Sequence, residues 1–392
     1  MKPRIPLLAT GACLGLALLL PGCATYEADS AGYWPRTGDA LVDGRTAIER
    51  APAKDKVLWQ CRTAAVAMRR GQLQEARTLL DEALLSIGSL PSNDKGAKQS
   101  RSLFKQESRK SFRGEPYERI MAYYYRGILY WMDGEPDNAR ACFRNAQLQD
   151  SDTESKEYAS DYVLLDYLDG LVTAKLGGDG SDALKRAIKE SRISKPPPYD
   201  PKANVLVFAE YGNGPTKYAT GEYAEQLRFR PGASTTRSMI LRVAGNAYRL
   251  DPLDDLNFQA TTRGGRVMDH ILGNKAVFKT TTDIVGTGAI IGGAVLATQR
   301  NTREAGLGLL AAGVITKIVS AATTPEADIR CWDNLPQFLT FAALKLPAGD
   351  YAATVEFASD PNSPTGVSAK PVTIHVADPS RDTVIFVSDK SQ

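Results

Sequence analysis

The chain has 392 residues, of which 43% are hydrophobic, 24% charged and 8% aromatic, a globular composition that excludes a wholly disordered or fibrous chain. Its 48 basic and 45 acidic residues leave a net charge of +3, too small an excess to point to nucleic acid. Five cysteines and two histidines are too few for a disulfide scaffold or a histidine-rich metal site.

Residues 1–22 read as a signal segment. Lys2 and Arg4 supply the positive start, and Leu7 to Leu20 form an uncharged apolar run. That run is shorter than the roughly 20 residues a membrane helix needs. It ends at Leu20-Pro21-Gly22-Cys23. These residues resemble the lipobox of bacterial lipoproteins. The resemblance implies removal of residues 1–22, lipidation of Cys23 and attachment to membrane lipid through its acyl chains. Ala24 stands where an acidic residue would favour inner-membrane retention, so the resemblance implies the periplasmic face of the outer membrane. Residues 23–54 are rich in glycine, proline and polar side chains and read as a flexible tether.

Residues 55–194 carry a helical period. Val57, Leu58, Cys61, Ala64, Ala65 and Met68 form one stripe, and Leu73, Ala76, Leu79, Leu80, Ala83 and Leu84 form a second beyond Gly71. A second helical hairpin places Tyr123, Gly127 and Tyr130 before the turn Asp133–Asp137, and Ala139, Phe143 and Ala146 after it. This spacing is similar to the tetratricopeptide repeat, whose small residues let two helices approach closely. The resemblance implies a repeat domain with a concave groove faced by Tyr124, Ile128 and Trp131, a site for a peptide or protein. A third, atypical unit runs from Tyr158 to Ser191, with Ser181 as an expected N-cap. The insert Pro91–Pro116 is basic and reads as either a solvated loop or a patch for an anionic surface.

Residues 195–203 are a proline-rich linker. Beyond it, residues 204–392 read as β-rich. Strands are expected at Asn204–Tyr211, Ser238–Val243, Asp255–Ala260, Gln337–Lys345, Tyr351–Ala358, Val372–Ala377 and Thr383–Ser388. The last four suggest a small sandwich. Within this region residues 283–322 form a glycine-rich apolar hairpin containing Gly288-x-x-x-Gly292. Two readings fit it: a hairpin packed in the core, or one that inserts and oligomerises in a membrane. The expected fold class is therefore multidomain α+β: a repeat domain followed by a sandwich-like domain carrying that hairpin.

Motifs of catalysis are missing. There is no His-Glu-x-x-His, no Gly-x-Ser-x-Gly and no Cys-x-x-Cys. His270 and His375 lie in separate segments, and Asp254, Asp255 and Glu210 are acidic residues without a paired motif. No cofactor, metal or enzyme activity is expected. Trp332 is expected in a core, with Arg330 pairing to Asp328 or Asp333. Of the cysteines outside the signal and Cys23, Cys61, Cys142 and Cys331 leave the disulfide state open. The segments Gly114–Arg119 and Ala327–Pro336 resemble a group of uncharacterised bacterial lipoproteins, some members of which lie near lipoproteins that activate cell-wall synthases. The expected function is a lipid-anchored envelope scaffold that holds a protein or peptide. The alternative is a membrane-active or secretion component that uses the 283–322 hairpin.

Overall fold

Among the described residues, seven α-helices and one short 3-10 helix (Ala53–Asp55) precede the first strand. The structure is a computed structural model that describes residues 36–88, 111–151, 158–222, 224–262, 327–359 and 367–390. The lipidation residue Cys23, the basic insert through Lys110 and the whole 283–322 hairpin lie outside the described residues, as does His270.

Helix α1 spans Ala40–Arg50, α2 Lys56–Arg69 and α3 Leu73–Ile87. Asp39 caps α1 by accepting from the backbone N–H groups of Leu41 and Val42. The stretch expected to be a tether up to residue 54 therefore contains a packed helix. Polar composition suggested a linker, but Leu41 and Ala47 are buried and Gly44 abuts Thr63 on α2. A Cβ at Gly44 would sit 2.3 Å from the Thr63 hydroxyl, so the small residue sets the α1–α2 contact.

Helix α4 (Pro116–Met132) and α5 (Pro136–Asp150) form the second hairpin. Both begin on proline, whose missing N–H costs nothing in the first turn. Glu115 and Glu118 close a capping box at the start of α4. Gly127 meets Phe143 across the hairpin, where a Cβ would lie 2.6 Å from the ring. Helix α6 (Val163–Lys175) and α7 (Ser181–Glu190) complete the helical layer. Gly180, not Ser181, occupies the N-cap position of α7, and Asp179 accepts from the Ser181 N–H.

Ten strands follow. They are β1 (Val205–Tyr211), β2 (Thr216–Thr220), β3 (Gln226–Arg230), β4 (Ser238–Val243), β5 (Asn246–Leu250), β6 (Asp254–Asp255), β7 (Phe338–Leu344), β8 (Gly349–Ala358), β9 (Val367–Val376) and β10 (Thr383–Ser388). The expected strand at Asp255–Ala260 is instead helix α8 (Leu256–Thr261), because Asp255 caps it through the Asn257 N–H. One sheet runs β10-β1-β7-β6, a second β5-β4-β8-β9, and β2-β3 form a ribbon. Strand β1 is parallel to β10, with Val205 beside Thr383 and Glu210 beside Ser388, and antiparallel to β7, with Phe208 beside Phe341.

Strand β1 is buried along its whole length, and its alternation decides the layering. Leu206 and Phe208 join the core shared with the helices, together with Tyr124, Ile128 and Trp131. Val205, Val207, Ala209 and Tyr211 face the other way and join Leu241, Val355 and Ile374 of the second sheet. The result is a mixed α+β body with helices, first sheet and second sheet in order. The described residues all belong to one compact unit, in which the helical and β segments share a core. The proline-rich linker is packed as well, with Tyr199 5.0 Å from the Tyr167 ring.

Candidate functional site

The expected groove is not open. Tyr124, Ile128 and Trp131 are 1%, 0% and 1% exposed. Phe208 of β1 fills the space in front of them, with its ring 6.3 Å from Tyr124 and 5.9 Å from Trp131. The helical face that would hold a partner in an isolated repeat array here holds the chain's own sheet. Helical periodicity could mark these residues as facing inward on the hairpin, but it carried no sign of what would cover them.

Two buried charged networks fasten that cover. Glu210 on β1 accepts from Arg69 Nε at 2.7 Å, from the Tyr125 hydroxyl, and from Ser388 Oγ at 2.8 Å. The second network centres on Glu118. Lys217 of β2 donates to Glu118 and to the Arg330 carbonyl, and the Trp332 N–H donates to the other Glu118 oxygen at 2.7 Å. Burial pushes the Glu118 carboxyl up, against the pull of Lys217 and the Trp332 N–H. Trp332 is buried, and Arg330 pairs with both Asp328 and Asp55. Of these groups, Lys217 carries no local sequence signal that would pair it with Glu118, 99 residues away.

A cleft of about 570 Å³ opens where the α4–α5 turn meets the C-terminus of α6 and the β9–β10 turn. Its walls hold Met132, Pro136, Leu176, Pro201 and Ala377 as apolar groups. On its floor the Asp382 carboxylate accepts from Trp131 Nε1 at 2.9 Å and from Lys175 Nζ at 2.7 Å. Trp131 thus belongs to the site by its polar edge, while its ring belongs to the core. Asp133 is held by Arg77 through both oxygens. Asp378 accepts from the Ser380 N–H and hydroxyl, and these bonds, with the nearby Arg381 charge, hold its carboxyl below the ordinary range. His375 pairs with Asp350 through Nδ1. The Arg381 guanidinium lies beside Gly134 and, among the described residues, reaches no carboxylate.

A smaller cavity of about 180 Å³ lies beside α8 and is lined by Asp161, Asp254, Asp255, Glu190, Arg192 and Phe258, among others. The Asp254 carboxylate accepts from the Val163 and Leu164 N–H groups at 2.9 and 2.8 Å, which caps α6 from a distant strand. Burial pushes the Asp254 carboxyl up to about 7; the two N–H groups oppose this, and the Asp161 and Asp150 charges add to it. Arg192 Nη2 stands 3.9 Å from Asp161 and its guanidinium lies over Phe258.

Among the described residues no group of three His, Cys, Asp or Glu is placed to hold a metal ion, and no helix is long and apolar enough to cross a membrane. Cys61, Cys142 and Cys331 are free thiols, and burial pushes Cys142 and Cys331 up to about 11. Such thiols are protonated and poorly nucleophilic near neutral pH. No family model, curated protein or solved structure matches this chain.

Proposed function

We propose that this is a lipid-anchored protein of the bacterial cell envelope, held through Cys23, whose folded body binds a segment of an envelope protein or peptide. The anchor rests on the charged start, the short apolar run and the Leu20–Cys23 sequence. A close approach of the two helices at Gly127, against Phe143, is what a tetratricopeptide-like hairpin would need and is compatible with that reading, while the inner face of the hairpin seats a sheet. The reading is carried by one observation: the 570 Å³ cleft is open and sets apolar groups beside charged ones, several of them held by hydrogen bonds. That is the usual character of a recognition site.

A photoreactive residue at Leu176, which is 48% exposed on the cleft wall, tests it in living cells. Irradiation is expected to give a discrete adduct with an envelope component. A second probe at Leu148, exposed but absent from the cleft lining, should give none of it. Identical adducts from both positions, or none from Leu176, would overturn the proposal.

A further inference from the structure

We infer that the cleft takes a carboxylate-bearing peptide segment, with its acid on Arg381 and its apolar side chains against Met132, Leu176 and Pro201. The inference rests on the cleft being the binding site proposed above and adds the chemistry of the ligand.

The charges at the cleft differ in what they already hold. Lys175 is spent on Asp382 and on the Ala203 carbonyl. Asp133 is engaged by Arg77; Asp378 accepts from Ser380 and keeps its negative charge near Arg381 without pairing to it. His375 faces Asp350. Arg381 alone among these presents a guanidinium with no hydrogen-bonded or ion-paired partner among the described residues. A planar guanidinium matches a carboxylate with two parallel N–H donors, which a lysine cannot do. The β9–β10 turn fixes the backbone from which it projects: the Arg381 N–H donates to the Asp378 carbonyl, and the same turn is closed by Ser380. Around it lie the apolar groups Met132, Leu176 and Pro201 among polar ones, and about 570 Å³ is more space than a lone small ion needs. A purely anionic ligand would leave Met132, Leu176 and Pro201 without a role. A purely apolar ligand would press on a guanidinium and lose its hydration.

The test uses the full lipidated chain in detergent micelles with nitrogen-15-labelled tryptophan. The Trp131 indole N–H on the cleft floor reports occupancy. Three blocked tripeptides are titrated: acetyl-Ala-Leu-Leu as the free acid, the same peptide as its amide, and acetyl-Leu-Asp-Leu amide. The first and third separate a chain-end acid from a side-chain acid. The expected result is that one or both acidic peptides bind about tenfold more tightly than the neutral amide. Arg381→Ala should erase that advantage, and Arg381→Lys should keep part of it. Arg381 is exposed, so neither variant endangers folding. Equal binding of all three peptides, with the Trp131 signal shifting, would overturn the carboxylate assignment and leave the cleft as the binding site. No shift with any peptide, combined with no Leu176 adduct in cells, would overturn both.

Discussion

Asp254→Asn is the sharpest test of how the helical layer is joined to the first sheet. Asp254 lies on β6, is buried, and accepts from the first two N–H groups of α6. Its carboxyl rises from 3.8 to about 7, mainly through burial. The groups facing it are also acidic, with Asp161 and Asp150 buried nearby and Glu190 and Asp255 lining the adjoining cavity; Arg192 is the cation there. The folded state therefore holds a proton that the unfolded state releases between pH 4 and pH 7. Stability from this group is fully present below the unfolded value and is lost as pH rises through about 7. The shift corresponds to roughly 4 kcal/mol over the whole range, of which about 2–3 kcal/mol falls between pH 5 and pH 8. Asparagine keeps the shape and one acceptor but cannot ionise, at a loss of about 1 kcal/mol for the second N–H. Urea unfolding of the Cys23→Ser chain, with and without Asp254→Asn, measures both curves. The two are expected to cross: the parent more stable near pH 5, the asparagine variant more stable near pH 8. A difference between them that stays constant from pH 5 to pH 8 would refute the reasoning.

Three further outcomes are expected. Gly127→Ala should lower stability by about 1–3 kcal/mol in thermal unfolding, because the added methyl meets the Phe143 ring at 2.6 Å in a buried hairpin; the gain in helix propensity, near 1 kcal/mol, is smaller. Arg69→Met should cost about 3–5 kcal/mol by stranding the Glu210 charge, whereas Arg69→Met combined with Glu210→Leu should recover much of that loss in the same denaturation assay. Cys23→Ser should move the protein from the membrane fraction to the soluble envelope fraction; retention after an alkaline wash would assign membrane attachment to another part of the chain.

Much of the helical layer was legible because its contacts are local. Gly127, Ala139 and Phe143 lie within one hairpin, and a small residue facing an aromatic at fixed spacing leaves a pattern in the sequence. The late strands were legible for the same reason, since turns such as Pro347–Asp350 punctuate runs of β-branched and aromatic residues. The β2–β3 ribbon was not, because Thr216–Thr220 has no buried position and the apolar face of its partner is only two residues long, Leu227 and Phe229. The seam between layers was also illegible. Arg69 and Glu210 are 141 residues apart, and Glu118 and Lys217 are 99 apart, and neither pair carries a local signature. The groove residues show the limit most clearly. Periodicity places Tyr124, Ile128 and Trp131 on one face, and only the arrival of β1 decides whether that face meets a partner or the chain itself.

The parallel pairing of β1 with β10 has a consequence for how the protein is made. A strand at 205–211 must wait for one at 383–388 before its sheet is complete. Until then Glu210 lacks Ser388, Trp131 lacks Asp382, and Phe208 has only one flanking strand to hold it over the helices. Non-local pairing of this kind is slow and leaves apolar surface uncovered in the interval. A ribosome-bound chain stopped at Ala377 is expected to stay open to protease, while one extended past Ser388 becomes resistant. Closure of the first sheet over the helices is thereby deferred until residues 383–388 have been made.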